Sequence, residues 1–428
     1  MSISQAIGIV ASLLTGILPV AAQYPEIVTV HTFTGAKSDG ANPMSGLTAG
    51  VNVFYGTTQE GGANGMGTVY QLTPADGGGW TESLIYSFKG PSAGDARSPY
   101  SGAVIGGDGS LYGTTYYGGT GKNCAADSLG CGAVYQLSPP SAPGREWTEA
   151  VLYSFGSYAG DGYAPWGGLV LGANGSLYGT TQFGGIDSAT TNGYGVVFEM
   201  TPPASPSGAW TESIVYSFQG SPDGYGSVTS LVAGPGGELY GVTPAGGSSD
   251  DGVVFRLTPP SAPGGAWVED ILHNFSGAPP DGGDPNAAPI IGSHGELYGT
   301  AGNAGSVFCT AFELAPSGGS WTMSVLHTFT SRKKGDGGFF PVGLTFGQAG
   351  VLYGATYDGG SGGRGNLYQL KPDPFERTWI HTVLASFDGT NGAEVNGGLV
   401  IDPNTVLWGT THHGGADGQN LGTIFQLL

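Results

Sequence analysis

Charge is scarce in this sequence, and positive charge scarcest. Its 428 residues include 12 Lys and Arg against 32 Asp and Glu, a formal net charge of -20 at pH 7. A surface of that sign repels nucleic acid and anionic membranes, which argues against both as partners. It would also repel a polyanionic substrate unless a local basic patch overrode the field. Cysteine is nearly missing, with three in the chain, and no CxxC or Cys/His spacing suggests zinc. Cys124 and Cys131 bracket a short Gly-containing loop and could close it as a disulfide in an oxidising compartment. Cys309, at the start of an inner strand, reads as a buried structural thiol. Long apolar runs are also missing, apart from residues 6–22. That run ends Val20-Ala21-Ala22 before Gln23, a small-residue cleavage pattern, so residues 1–22 read as a secretory signal. Met1 to Gln5 lack the usual Lys or Arg, but the stretch is short for a membrane anchor. No serine-nucleophile motif, P-loop, dinucleotide fingerprint, HExxH helix or EF-hand loop is present.

What the chain has in abundance is glycine, 83 residues, and with 28 prolines this makes about a quarter of the whole. Composition alone would suggest low complexity, but the glycines recur at fixed offsets. The pentapeptide Leu177-Tyr178-Gly179-Thr180-Thr181 has near-copies at 54–58, 111–115, 239–243, 297–301, 352–356 and 407–411. A repeat of about 60 residues, kept over the whole chain, decides the architecture. Each copy reads as four strands. In the third they lie at 168–171, 176–181, 195–200 and 210–218, separated by Asn-Gly, glycine-rich and Pro-containing turns. In the fourth strand Trp210, Glu212, Ile214, Tyr216 and Phe218 alternate with smaller or polar residues, a period-2 pattern.

The Trp-led fourth strand occurs six times, at 80–88, 147–155, 210–218, 267–275, 321–329 and 379–387, against seven copies of the second strand. The seventh copy stops after its third strand, and residues 27–33 match the strand it lacks. A repeat split between the two ends is the signature of a closed ring, so the expected fold is an all-β, seven-bladed β-propeller spanning residues 23–428. Closure removes exposed sheet ends. An open solenoid would have no reason to split a repeat.

The run of Leu-Tyr-Gly-Thr-Thr, paired glycines, Gly-x-Val-Phe/Tyr and Trp-Thr-Glu…Tyr-Ser-Phe resembles the GloVer tandem-repeat family of extracellular bacterial proteins, over nearly the whole mature chain. The resemblance implies a secreted or surface-exposed repeat protein and brings no defined catalytic residue. Members often have a C-terminal anchoring segment. This chain ends at Leu428 inside a strand, which leads us to expect a released, monomeric protein.

In such a propeller the links from fourth to first strands and from second to third strands share one end, where ligands usually bind. The first set carries Asp161-Gly162, Asp223-Gly224 and Asp281-Gly282, with further copies at Asp39, Asp95 and Asp336. These carboxylates could hold Ca²⁺, or act as Asx-turn residues, the reading favoured by their near-uniform repetition. Positions where one copy departs from its fellows say more. After the second strand the copies read Gln59-Glu60, Tyr116-Tyr117, Gln182-Phe183, Pro244-Ala245, Gly302-Asn303, Tyr357-Asp358 and His412-His413. Tyr100 and Trp166 stand where other copies have Met44, Val342 or Asn396. Tyr100, Tyr116, Trp166 and Phe183, with Asp358 as a polar contributor, suit a neutral sugar, whose C–H face stacks on aromatic rings. The expected partner is therefore a polysaccharide or cell-surface glycan. An alternative is a polysaccharide lyase acting by β-elimination, with His412 or His413 as base, Arg364 as cation and Tyr117 across the axis. A third is a structural surface module that binds nothing.

Overall fold

The computed structural model describes residues 25–125, 129–142, 144–186, 192–205, 208–226, 229–262, 264–302, 309–329, 338–375 and 378–428. The signal segment, Arg332-Lys333-Lys334 and Asp336-Gly337 lie outside the described residues. The chain forms seven four-stranded antiparallel sheets arranged as a seven-bladed β-propeller. Among the described residues there is no α-helix, and no helix is long and apolar enough to cross a membrane. Blade three consists of Val170–Leu171, Leu177–Thr180, Val196–Thr201 and Thr211–Ser217, paired in that order from inside to outside. Blade seven contains Val400–Ile401, Leu407–Thr411 and Thr423–Leu427, and its outer strand is Ile27–Thr32 from the other end of the chain. Ile27 pairs with Leu427 and Thr32 with Thr423, so the ring closes as the split repeat requires.

Each residue of the Tyr-Gly-Thr-Thr signature has its own mechanical task. The glycine lies under an aromatic ring of the neighbouring third strand: a Cβ on Gly179 would stand 2.5 Å from Phe198 Cζ. Only a residue without a side chain leaves room for that ring, and the ring itself is fully buried. The first threonine ties its blade to the next. Thr57 Oγ1 donates to Ser101 O (2.9 Å), Thr114 to Gly167 O (2.9 Å), Thr180 to Thr229 O (3.3 Å) and Thr300 to Pro341 O (3.2 Å). Thr410 returns to Ser45 O of blade one at 2.6 Å. The second threonine caps the turn that follows, as when Thr181 donates to Phe183 O and Thr411 to His413 O, both at 2.8 Å. The aromatic residue receives the tryptophan of the following blade. Trp147 packs on Tyr55, Trp210 on Tyr112, Trp267 on Tyr178, Trp321 on Tyr240 and Trp379 on Tyr298, at centroid distances of 6.0, 5.6, 5.7, 6.3 and 6.2 Å. Trp80 meets Trp408 of blade seven at 5.0 Å. Each such pair adds about 1 kcal/mol beyond its buried area.

The outer strands depart from the strict alternation that their sequence suggests. Each blade has a β-bulge there, for instance where Phe198 faces Ile214 but Val197 faces Tyr216, leaving Val215 extra. The bulge lets the next aromatic residue or histidine reach the aspartate of the following turn. Tyr86 donates to Asp95 (2.8 Å), Tyr153 to Asp161 (2.7 Å) and Tyr216 to Asp223 (3.0 Å). His31 bonds Asp39 and His273 bonds Asp281, both at 3.1 Å.

Candidate functional site

The turn aspartates lead directly into short ladders that join the two sets of links at one end of the ring. Gly40–Ala41 pairs with Glu60–Gly61, Ala96–Arg97 with Tyr117–Gly118 and Gly224–Tyr225 with Ala245–Gly246. Single bridges join Tyr163 to Phe183 and Ala393 to His413. The third link residue is held left-handed in every blade, at Asn42, Ser98, Ala164, Gly226, Asp284, Phe340 and Glu394. The main chain fixes it: Ser98 O accepts from Tyr116 N, Ala164 O from Gln182 N and Glu394 O from His412 N. The links then converge on the axis around a cavity of about 430 Å³, lined by Met44, Tyr100, Trp166, Thr229, Asn286, Val342 and Asn396.

On the side of blades two and three, four aromatic side chains cluster, and two of them, Tyr100 and Trp166, line this cavity. Tyr100 and Tyr116 stack at 4.7 Å with an interplanar angle of 15°. Trp166 stands edge-on to both, at 5.0 and 5.8 Å, and Tyr117 edge-on to Tyr116 at 4.7 Å. Gln59 Nε2 donates to Tyr100 Oη (3.0 Å), and Tyr116 Oη donates to Gln182 Oε1 (2.7 Å). Burial pushes the Tyr116 hydroxyl up to about 12, so it remains a donor at any physiological pH. Trp166 is the most open of the four, with 36% of its surface exposed. Phe183 stacks instead on Tyr163, at 5.2 Å and 26°, on the outer side of the same link. A disulfide joins Cys124 and Cys131 in the adjoining loop, with Cα atoms 5.7 Å apart. Cys309 is fully buried at the start of the third strand of blade five.

On the side of blades six and seven, His412 and His413 meet a residue that the sequence reading did not single out. Glu394 Oε2 accepts from Tyr357 Oη (2.5 Å) and bonds His413 Nδ1 (2.7 Å). Burial works against ionising this carboxyl, yet the Tyr357 and His413 bonds hold it below the usual carboxylate range. The two imidazole centroids lie 4.1 Å apart, and His412 Nδ1 is buried without a hydrogen-bond partner among the described residues. Burial, with His413 adding to it, pushes His412 down to about 4. The tyrosine in contact with this group is Tyr357; Tyr117 packs in the aromatic cluster of blade two. Arg364 supplies its backbone carbonyl to Glu394 N (3.0 Å), while its side chain is exposed. Asp358 is half-buried opposite Phe339. Glu394 could have been found by comparing link copies as the post-strand pairs were compared, since it shares its position with Asn42, Ser98 and Ala164.

Asp161, Asp223 and Asp281 are engaged inside their own blades. Besides the outer-strand bonds, Asp161 accepts from Ser157 N (2.8 Å), Asp223 from Gln219 N (3.0 Å) and Gly224 N (2.7 Å), and Asp281 from Ser276 Oγ (2.5 Å). Asp223 and Asp281 use both carboxylate oxygens in turn and strand bonds, the Asx-turn pattern, whereas Asp161 Oδ1 is buried without a hydrogen-bond partner among the described residues.

These features define a class: a seven-bladed propeller closed by its first strand, with its copy-to-copy differences gathered on one loop face. The chain belongs to the Gloeobacter/Verrucomicrobia repeat family, whose pattern matches it in overlapping stretches at residues 19–205, 125–329 and 186–425. No curated protein matches the sequence. Among solved structures it is similar to a Mycobacterium tuberculosis puromycin-hydrolyzing peptidase, at 15% identity and a TM-score of 0.51, over 90% of this chain and 52% of that one. It is also similar to an ancestral GH74 enzyme, at 11% identity and a TM-score of 0.55, over 91% of this chain and 48% of that one. The chain thus spans about half the length of each. At such identities the likeness is one of fold.

Proposed function

We propose that this propeller is a secreted, monomeric protein that binds a neutral glycan on its loop face, with the sugar lying on Trp166 at the mouth of the central cavity. The observation that supports this is the exposed Trp166 ring, braced edge-on by the stacked Tyr100 and Tyr116. A braced ring loses little freedom on binding and offers a flat apolar surface to sugar C–H groups. Gln59 and Gln182, hydrogen-bonded to Tyr100 and Tyr116, offer polar partners for hydroxyls. The net charge of -20 favours a neutral ligand over a polyanion. The test is retention of the purified protein on a panel of neutral and uronic polysaccharides. Trp166→Ala should weaken binding about tenfold or more with an unchanged melting temperature. Wild-type affinity in both Trp166→Ala and Tyr116→Ala would overturn the reading.

A second reading is enzymatic and rests on the contact between His413 and Glu394. A base held by a carboxylate, next to a tyrosine hydroxyl, has the parts for removing a proton α to a uronate. It requires ultraviolet-absorbing unsaturated product from a uronic polymer, abolished by changing both histidines.

A further inference from the structure

We infer that Glu394, His412 and His413 form a binding site for one divalent transition metal, with zinc as the best match, on the blade-seven side of the loop face. The inference is independent of glycan binding at Trp166. The three side chains each offer one ligand atom, and these atoms lie within 4.8 Å of one another. Two imidazole nitrogens and one carboxylate oxygen are the donor set of open zinc sites, where further positions are left for water or ligand. Tetrahedral zinc places such atoms about 3.3 Å apart, so atoms within 4.8 Å of one another must draw together by at most about 1.5 Å.

The supports are in place. Ala393 and His413 exchange both backbone hydrogen bonds (2.8 and 3.0 Å), His412 N donates to Glu394 O (3.0 Å), and Asn42 Nδ2 donates to His412 O (3.2 Å). The main chain therefore holds the three residues in register, and the bond between His413 Nδ1 and Glu394 Oε2 is the contact that a metal would replace. Tyr357 Oη on Glu394 Oε2 is the kind of outer hydrogen bond that orients a metal-binding carboxylate. The buried His412 Nδ1 is a lone pair or N–H whose desolvation no partner among the described residues offsets. Among the described residues the other grouping of this type is His31 with Asp39 and Glu82, where both oxygens of the bonded carboxylate are taken. There Asp39 already accepts from Thr34 N, Thr34 Oγ1 and Gly40 N.

The test uses the full chain, stripped with a chelator and titrated with Zn²⁺, then with Cu²⁺ as a spectroscopic probe. One Zn²⁺ per chain should survive desalting, and the Cu²⁺ resonance should show coupling to imidazole nitrogens. Glu394→Gln and His412→Ala should each lower Zn²⁺ affinity at least about 100-fold, and Tyr357→Phe about tenfold. Glu82→Gln should leave it unchanged. Absence of stoichiometric Zn²⁺, or equal retention by the Glu394 and His412 variants, would overturn the site. Should those variants misfold, the wild-type copper spectrum decides: without nitrogen coupling the proposal fails.

Discussion

Four outer-strand glutamates should make this propeller more stable in mild acid than at slightly alkaline pH. Glu82, Glu149, Glu212 and Glu269 share one position, two residues beyond Trp80, Trp147, Trp210 and Trp267. In each, Oε1 is buried without a hydrogen-bond partner among the described residues. Each also faces an aspartate of the preceding turn: Asp39 (with His31), Asp95 (with Lys89 and Tyr86), Asp161 (with Tyr153 and Tyr158) and Asp223 (with Asp270). Burial first, and then the facing carboxylate, pushes all four from 4.5 up to about 7. The unfolded chain releases these protons near 4.5, so between 4.5 and about 7 the native state binds more of them. Stability therefore falls as pH rises through that window, and the loss is complete above it. At full strength a rise from 4.5 to about 7 is worth about 3 kcal/mol per carboxyl. These side chains are partly open to water, and screening brings the figure to about 1 kcal/mol each, or about 4 kcal/mol for the four. For a domain of this size that is a melting-temperature change of about 5 °C. Asp39 and Glu394, held below the usual carboxylate range, act only at more acid pH. The assay is thermal unfolding of the wild type and of the fourfold Glu→Gln variant, from about pH 5 to about pH 8.5. His412, held down to about 4, works in the opposite sense below 6.5 in both proteins, so the difference between them is the readout: the wild type should lose about 5 °C relative to the variant across the range and fall below it at the alkaline end. A variant that keeps the wild-type slope would refute the reasoning and place the cause in the overall charge of -20.

Gly179→Ala puts a methyl 2.5 Å from Phe198 Cζ, so the ring must shift; about 2 kcal/mol of stability should be lost, read by denaturant unfolding, and a neutral result would show that the ring is not held there. Deleting residues 25–33 strips blade seven of its outer strand and bares the edge of Thr423–Leu427. A lower melting temperature and self-association in size-exclusion chromatography are expected, and an unchanged monomer would contradict closure by that strand.

The architecture was legible because nearly every residue of the repeated signature has a task that each blade must perform. Gly179 makes room for Phe198, Thr114 holds the next blade at Gly167, Thr181 caps its turn, and Tyr178 receives Trp267. The outer-strand bulge was not legible, since the extra Val215 is as apolar as its neighbours and leaves the written alternation intact. The bonds from Tyr86 to Asp95, Tyr153 to Asp161 and Tyr216 to Asp223 span nine, eight and seven residues. That drift hides a constant contact between the outer strand and the turn that follows it. Tyr100, Tyr116 and Trp166 stood out as departures from the repeat, and the structure brings them into one cluster. Glu394 did not stand out, because its link position varies from copy to copy and its meeting with His413 depends on a bridge between separate loops.

That link position has a wider consequence. Its left-handed backbone is set by main-chain bonds, so amide, hydroxyl, methyl, phenyl and carboxylate side chains all occur there in different blades. The ring thus works like a rack of seven interchangeable sockets arranged about one axis. A new chemical group can be mounted in one socket while the sheets, the threonine ties and the other six keep their places.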